Sequence, residues 1–395
     1  MNILVIGNGF DLAHDLPTSY SDFLKFLRCI KLTSSWHGNK NEFLAKHVDN
    51  ENLNDFVVEF IKNAFDKREK NPSGNYSNTN SFVQEMYDIL GNNIWYAYLS
   101  YVYENGKMKG VNWIDLESEI SYVIEKIDKE QQNIFLPFHI TIPENDAKMS
   151  NFSNFASHLL HKYIETKNKP DNYKETYYDF IEKSYWDLRQ LVRCLEIYLT
   201  ECVEKIPITK ISPNINSLNV QAVLNFNYTH IYANKYMSNP HTKIHYLHGE
   251  IGKPENNMVL GIDEYRSKGE RDFCTNYNIY KKFTQRILYD TGFLYRDWIK
   301  IVDDNYIRFK LDEKHRYSNL YIFGHSLDIT DKDVLKDLIC RSSVRTTIFY
   351  HDKQQQTQQI ANLVKMLEQD TFIEMINSVP QKISFVPQQP MQNIN

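Results

Sequence analysis

Five positions into the chain a short apolar run, Asn2–Ile6 (NILVI), stops at Gly7. A run this short, unbroken by polar residues, predicts a parallel strand buried on both faces. Polar and glycine positions then take over (Gly7, Asn8, Gly9), which predicts a turn. Thr18 or Ser19 can cap a helix over residues 20–30, where Phe23, Phe26, Leu27 and Ile30 share one face. From about residue 36 to 206 the spacing is helical throughout, as in Phe56, Phe60 and Ala64 or Ile114, Ile120, Val123 and Ile127. Strand-like alternation is scarce there, and the turn chemistry of residues 71–80 and 136–150 predicts two exposed loops. Short β-branched and aromatic runs return at residues 220–226, 243–247, 258–262, 320–323 and 345–350. Helices are expected at 330–341, capped by Thr330 or Asp331, and at 354–376. Pro387, Pro390 and many Gln and Asn predict a disordered tail after Pro380.

This order predicts an α/β fold: a Rossmann-like, mostly parallel sheet with a large helical insertion after the first strand. Residues 1–35 and 207–379 would form the nucleotide-binding core, 36–206 the insertion and 380–395 the tail. Open α/β sheets bind ligands at the carboxyl ends of their strands. The strand-end loops are therefore where chemistry is expected.

Five such constellations stand out. In Gly7-Asn8-Gly9-Phe10-Asp11, Gly7 permits a tight turn, and Gly9 lets backbone approach a phosphate without a Cβ in the way. The plain alternative is a bare strand–turn–helix corner. Leu12 stands where a dinucleotide fingerprint has its third glycine, and no strand with a terminal acid follows about 20 residues on, so an ordinary dehydrogenase is disfavoured. Asn225-Phe226-Asn227-Tyr228-Thr229 offers amides that can bind a ribose hydroxyl or place a water, or else merely cap a turn. In His248-Gly249 an imidazole sits at a strand-end corner, suited to general base work. A metal held by His241, His245 and His248 lacks an acidic or Cys partner at convincing spacing, and His245 and His248 would point to opposite faces along a strand. Gly324-His325-Ser326-Leu327-Asp328 repeats the strand–glycine–polar pattern and could touch a second phosphate or a ribose. A Ser–His–Asp hydrolase reading is weak, since His325, Ser326 and Asp328 are sequence neighbours and no G-x-S-x-G elbow occurs. Asp115 and Glu117, two apart at a helix start in the insertion, would point in different directions, one toward the cleft or both into solvent.

Composition narrows the classes. The net charge of −5 implies no broad field for nucleic acid or an anionic membrane, so neither is expected as a partner. Cys29, Cys194, Cys202, Cys274 and Cys340 contain no C-x-x-C pair and read as reduced thiols of a cytoplasmic protein. No stretch approaches the roughly 18 apolar residues of a membrane span.

Taken together, Gly7 to His14, Leu16 to Tyr20, Trp113 to Glu117, Asn225 to Thr229, Leu247-His248-Gly249 and Gly324 to Asp328 resemble the AbiH family of bacterial phage abortive-infection proteins. A more distant similarity is to sirtuin-type NAD-binding domains, which carry a glycine loop, an Asn strand end, a catalytic His-Gly and a Gly-x-Ser loop in this order. Asn8 replaces a small residue of that pattern, Thr229 replaces an acid, and the sirtuin zinc cysteines are missing, which points away from protein deacylation. The resemblance implies NAD as substrate or ligand without a metal, His248 and Asn227 as catalytic residues, and cleavage of the nicotinamide–ribose bond. It implies Gly7, Asn8, Gly9, Phe10, Asp11, Gly249, Gly324, His325 and Ser326 as nucleotide-binding residues, with Asp115 and Glu117 as contributors from the insertion. A phage trigger and a homo-oligomer are its further implied partners. The alternatives are a non-catalytic module that senses a nucleotide or binds a partner, and a metal-dependent nuclease using Asp11, Asp115 and Glu117.

Overall fold

The computed structural model describes residues 1–70, 81–108, 115–134, 173–262 and 277–394. The expected loops at 71–80 and 136–150, together with Trp113, Ile114 and Cys274, lie outside them.

A six-stranded sheet forms the centre, in the order β4-β3-β1-β5-β6-β7, and every neighbouring pair in it is parallel. Its strands are β1 (Asn2–Ile6), β3 (Ala222–Asn225), β4 (Lys243–Tyr246), β5 (Ser318–Phe323), β6 (Val344–Tyr350) and β7 (Ile383–Pro387). A small antiparallel pair, β2 (Lys210–Ile211) with β8 (Gln392–Asn393), lies beside it. Ile3 to Ile6 are fully buried, as a central strand of a covered parallel sheet requires.

The helices run α1 (Asn8–Ala13), α2 (Tyr20–Ser35), α3 (Lys40–His47), α4 (Asp55–Lys70), α5 (Ser81–Asn92), α6 (Ile94–Met108), α7 (Leu116–Ile134) and α8 (Tyr173–Glu201) before the sheet resumes. After it come α9 (Pro213–Asn216), α10 (Ile231–Lys235), α11 (Lys282–Leu288), α12 (Tyr295–Arg308), α13 (Glu313–Arg316), α14 (Lys332–Ile339), α15 (Lys353–Leu367) and α16 (Gln369–Asn377). Ser19 caps α2, its Oγ accepting from the Asp22 amide at 3.1 Å.

One face of the sheet shares a continuous apolar core with the helical excursion: Leu4, Ile6 and Phe10 join Phe26, Leu27, Ile61, Leu99, Ile120 and Tyr198. The other face packs Ile3, Val5 and Ile322 against Trp298, Leu335 and Leu363 from α12, α14 and α15. Among the described residues no helix is long and apolar enough to cross a membrane.

Three expectations are corrected. The tail is not left disordered: Ile383–Pro387 pairs with β6 as the sheet's edge strand, and Ile383 is buried. Pro387, as the last residue of an edge strand, costs no interior ladder bond. Residues 258–262 are buried but form no strand beyond a single Ile262–Lys281 bridge. The last helix divides at Glu368, whose φ of +67° ends α15 and precedes α16.

Candidate functional site

Strand β1 has β3 and β4 on one side and β5, β6 and β7 on the other, so the chain reverses direction across it. Such a reversal opens a crevice at the carboxyl ends of the strands. There the structure has a cavity of about 1060 Å³. Its walls are Gly7, Asn8, Gly9 and Asp11 after β1, Phe226 to Thr229 after β3, His248 after β4 and Gly324, His325 and Ser326 after β5. Asp115, Glu117, Leu195 and Leu199 close it from the helical side, and His351, Asp352, Gln355, Gln359 and Asn362 are among those that contribute the far wall. A second depression of about 710 Å³ is lined by Arg296, Lys336, Asp337, Arg341 and other surface groups, and contains none of the strand-end motifs.

The glycines do something other than expected. The Gly9 amide donates to Gly324 O at 2.7 Å, so it is committed to protein rather than to a phosphate. A Cβ on Gly9 would stand 2.8 Å from the Gly324 Cα, and one on Gly324 only 2.1 Å from the Phe10 amide nitrogen. Gly324 also has φ +68°, a region that L side chains rarely adopt. The two loops are thus welded by close backbone approach. The amides of Asn8 and Ser326, which bond to nothing else among the described residues, remain as donors at the cavity. We expect Gly324→Ala to lower stability by about 2–4 kcal/mol. Gly91→Ala, with no neighbour within 4 Å of the new Cβ and a helical backbone, should be neutral or gain up to about 1 kcal/mol. Urea unfolding of the two variants checks the contrast.

Asp11 lies under the loop, 1% exposed. Its carboxylate accepts from Asn227 Nδ2 at 2.9 Å and from Thr229 Oγ1 at 2.7 Å. Asn227 Nδ2 also reaches Gly7 O at 3.1 Å, which fixes the amide's orientation. Its Oδ1 accepts nothing from the described residues and is left for an occupant of the cavity. Burial raises the Asp11 carboxyl to about 7, against the two hydrogen bonds that favour its charge. The folded protein therefore keeps a proton that the unfolded chain releases above pH 3.8, and stability falls as pH rises from about 4 to 7. Asp11→Asn should reduce that slope, becoming more stable relative to the parent at pH 8 than at pH 5 by up to about 3 kcal/mol. Denaturation at the two pH values measures it. Glu117 keeps part of the slope, because burial raises it to about 7 as well.

Around the floor of the cavity three charged or imidazole groups converge on Asp331. Its Oδ1 is 3.0 Å from Lys282 Nζ and 3.3 Å from His248 Nε2, and its Oδ2 is 3.6 Å from His325 Nε2. Lys282, 3% exposed, also holds Glu117 Oε2 at 2.7 Å. Burial works against charge on Asp331, yet Lys282 and His248 keep its carboxyl well below the ordinary range. Burial likewise opposes the Lys282 ammonium, and Asp331 and Glu117 more than compensate. Burial first, then the Lys282 cation, lowers His248 to about 4, so its ring is neutral at physiological pH. Phe226 stands edge-on to both imidazoles, with centroids 5.3 Å from His248 and 4.4 Å from His325. His325 Nδ1 accepts from the Leu327 amide at 2.9 Å, where Leu327 has φ +60°. A buried non-glycine residue in that conformation stores about 1–2 kcal/mol of strain, a frequent mark of a functional loop.

Of the residues singled out from sequence, Gly7, Asn8, Gly9, Asp11, Asp115, Glu117, Asn227, His248, Gly324, His325 and Ser326 all line this one cavity. Phe10 does not: it is buried against His14, Tyr236 and Phe323. Gly249 instead takes φ +79° to pass the Asn257 backbone. His245 faces the opposite side, on Thr291 O and Trp298, so the three neighbouring histidines do not converge. Among the described residues no cluster of three or more His, Cys, Asp or Glu is arranged for a metal.

Lys282 and Asp331 were not legible as site residues. Thr330 or Asp331 was expected to cap the helix; instead Asp328 caps the short turn Ile329–Asp331 on the Thr330 amide, and Asp331, at the N-cap position of α14, makes no capping bond there and turns inward.

Compared with known proteins, the sequence matches the family described as "Bacteriophage abortive infection AbiH" over residues 3–352, most of its length. No curated protein and no solved structure matches it.

Proposed function

This chain belongs to the AbiH family of bacteriophage abortive-infection proteins, and from that premise we propose that its cavity binds NAD and cleaves the nicotinamide–ribose bond. One observation carries the reading. Asn227 and His248, from two strand ends, meet the loops after β1 and β5 in a single cavity of about 1060 Å³, close to the upper range of small-ligand sites.

In the reaction the bond between the nicotinamide nitrogen and ribose C1′ breaks, and the electron pair leaves with neutral nicotinamide. Water adds its oxygen to C1′ and gives up one proton. The neutral His248 ring takes that proton, and the Asn227 Oδ1 orients the water or a ribose hydroxyl. Positive charge passes from the pyridinium to the sugar ring during bond breaking. Carboxylates fixed nearby stabilise it without reorganising. The Asn8 and Ser326 amides and Ser326 Oγ serve the phosphates at the other side of the loop junction.

Incubation of the purified protein with NAD, with nicotinamide and ADP-ribose as the products followed, tests the proposal. Binding without any product would assign the cavity to nucleotide sensing. The helical excursion supplies Asp115, Glu117, Leu195 and Leu199 to the wall, which gives occupancy a route to that layer. A metal-dependent nuclease finds less support, because Asp11 is engaged by Asn227 and Thr229, Glu117 by Lys282, and Asp115 by the start of α7.

A further inference from the structure

Three histidines line the cavity: His351, whose Nδ1 and Nε2 are engaged by Gln355 Oε1 and Asp352 Oδ2, both at 2.8 Å, and the pair His248 and His325, of which only one has a ring nitrogen to spare. His325 Nδ1 accepts from the Leu327 amide, so its hydrogen is on Nε2, the atom turned to Asp331 Oδ2 at 3.6 Å. With Nδ1 engaged and the hydrogen on Nε2, His325 has no free lone pair with which to accept a proton. His248 presents Nε2 to Asp331 Oδ1 at 3.3 Å, not yet aligned as a hydrogen bond. Such loose geometry is usual before a ligand closes a site. Its Nδ1 bonds to no described residue. The Asp331 carboxylate, an acceptor only, is fixed from a third direction by Lys282 at 3.0 Å, and Phe226 blocks both rings from tilting away.

We propose that Asp331 is the positioning residue of the site: it takes the Nε2 hydrogen of His248 and so leaves Nδ1 as the lone pair that accepts the proton of the attacking water. The chemical half of this rests on the NAD reading above; the tautomer does not. His325 acts as a second strut on the same carboxylate, and Lys282 holds the carboxylate ionised and oriented. This separates His248 and His325 into base and support, a distinction that their shared position at strand ends does not make.

Asp331→Asn is nearly isosteric, but its new amide can donate to His248 Nε2 and drive the hydrogen onto Nδ1, the wrong tautomer for a base. Turnover of NAD should fall at least 100-fold, with KM changed by less than about threefold, following the general effect of mis-set histidine tautomers. The direct readout is the ¹⁵N spectrum of the full-length wild-type protein, with His248 assigned by comparison with His248→Gln. Hydrogen on Nε2 and a bare Nδ1 support the proposal, and the signal should move to the other tautomer in Asp331→Asn. Hydrogen on Nδ1 in the wild type overturns it, as does an Asp331→Asn variant with undiminished turnover. Should the variant fail to fold, the wild-type spectrum still decides. Absence of any NAD turnover by the wild type would remove the NAD reading alone and leave the tautomer to be judged by the spectrum.

Discussion

Lys282→Met should destabilise the protein by about 3–5 kcal/mol, the usual cost of removing one partner from a buried ionic cluster. The ammonium lies between Glu117 Oε2 at 2.7 Å and Asp331 Oδ1 at 3.0 Å, with only 3% of the residue exposed. Methionine fills the same volume but leaves two carboxylates facing each other in a low-dielectric site. One of them must then take up a proton for the chain to fold. The loss should be smaller at pH 5 than at pH 8, because both freed carboxyls would have raised folded-state values, and stability is surrendered as pH climbs through them. Adding Glu117→Gln should restore part of the loss, and a double-mutant cycle would put the coupling at about 1–3 kcal/mol. Equal stability of Lys282→Met and the parent at pH 8 would show that the cluster contributes nothing to the fold. The same experiment reads a link between distant chain segments, since Glu117 belongs to the helical excursion and Asp331 to the loop after β5.

The second large effect is on turnover. His248→Ala and Asn227→Ala should each lower NAD hydrolysis by about 10²–10⁴, the range measured for a lost general base or a lost transition-state hydrogen bond. The two variants should differ in stability. Asn227 ties Gly7 O and Asp11 together from Nδ2, so its truncation leaves Asp11 with one donor fewer and should cost about 1–3 kcal/mol. His248 makes no aligned hydrogen bond, so its removal should cost mainly packing against Phe226. A melting curve beside each rate separates misfolding from lost chemistry. Full activity in both variants would dismiss the roles assigned to them.

Much of the sheet is written locally. Each of β1, β3, β4, β5 and β6 is a short apolar or β-branched run closed by a polar or glycine residue, and the position of a loop at a strand's carboxyl end then places its residues at the crevice. That is why the strand-end motifs fall around one cavity. Lys282 and Asp331 obey no such local rule. Lys282 opens a short helix with no flanking motif, and its partners are a glutamate and an aspartate far away in sequence. Asp331 sits among Asp328, Thr330 and Asp333, any of which suits a helix start, and only the fold shows which one caps. The glycines give a related lesson. Their smallness was visible, but what approaches them was not, because Gly9 and Gly324 meet only after β1 and β5 pair. β7 was hidden by Pro and Gln around it, although Ile383 and Phe385 alternate as an edge strand's residues do.

The place of β1 in the middle of the sheet has a consequence for synthesis on the ribosome. Its register partners include Asn319 to Phe323, and Met1 and Ser318, in contact through the terminal amine, are separated by 317 positions. At ordinary elongation speeds the first strand waits roughly 15 s to a minute for that neighbour to emerge. Until then the nascent chain holds helices but no crevice, so an activity housed there arises only after residue 323 has emerged and is absent from any product terminated before it.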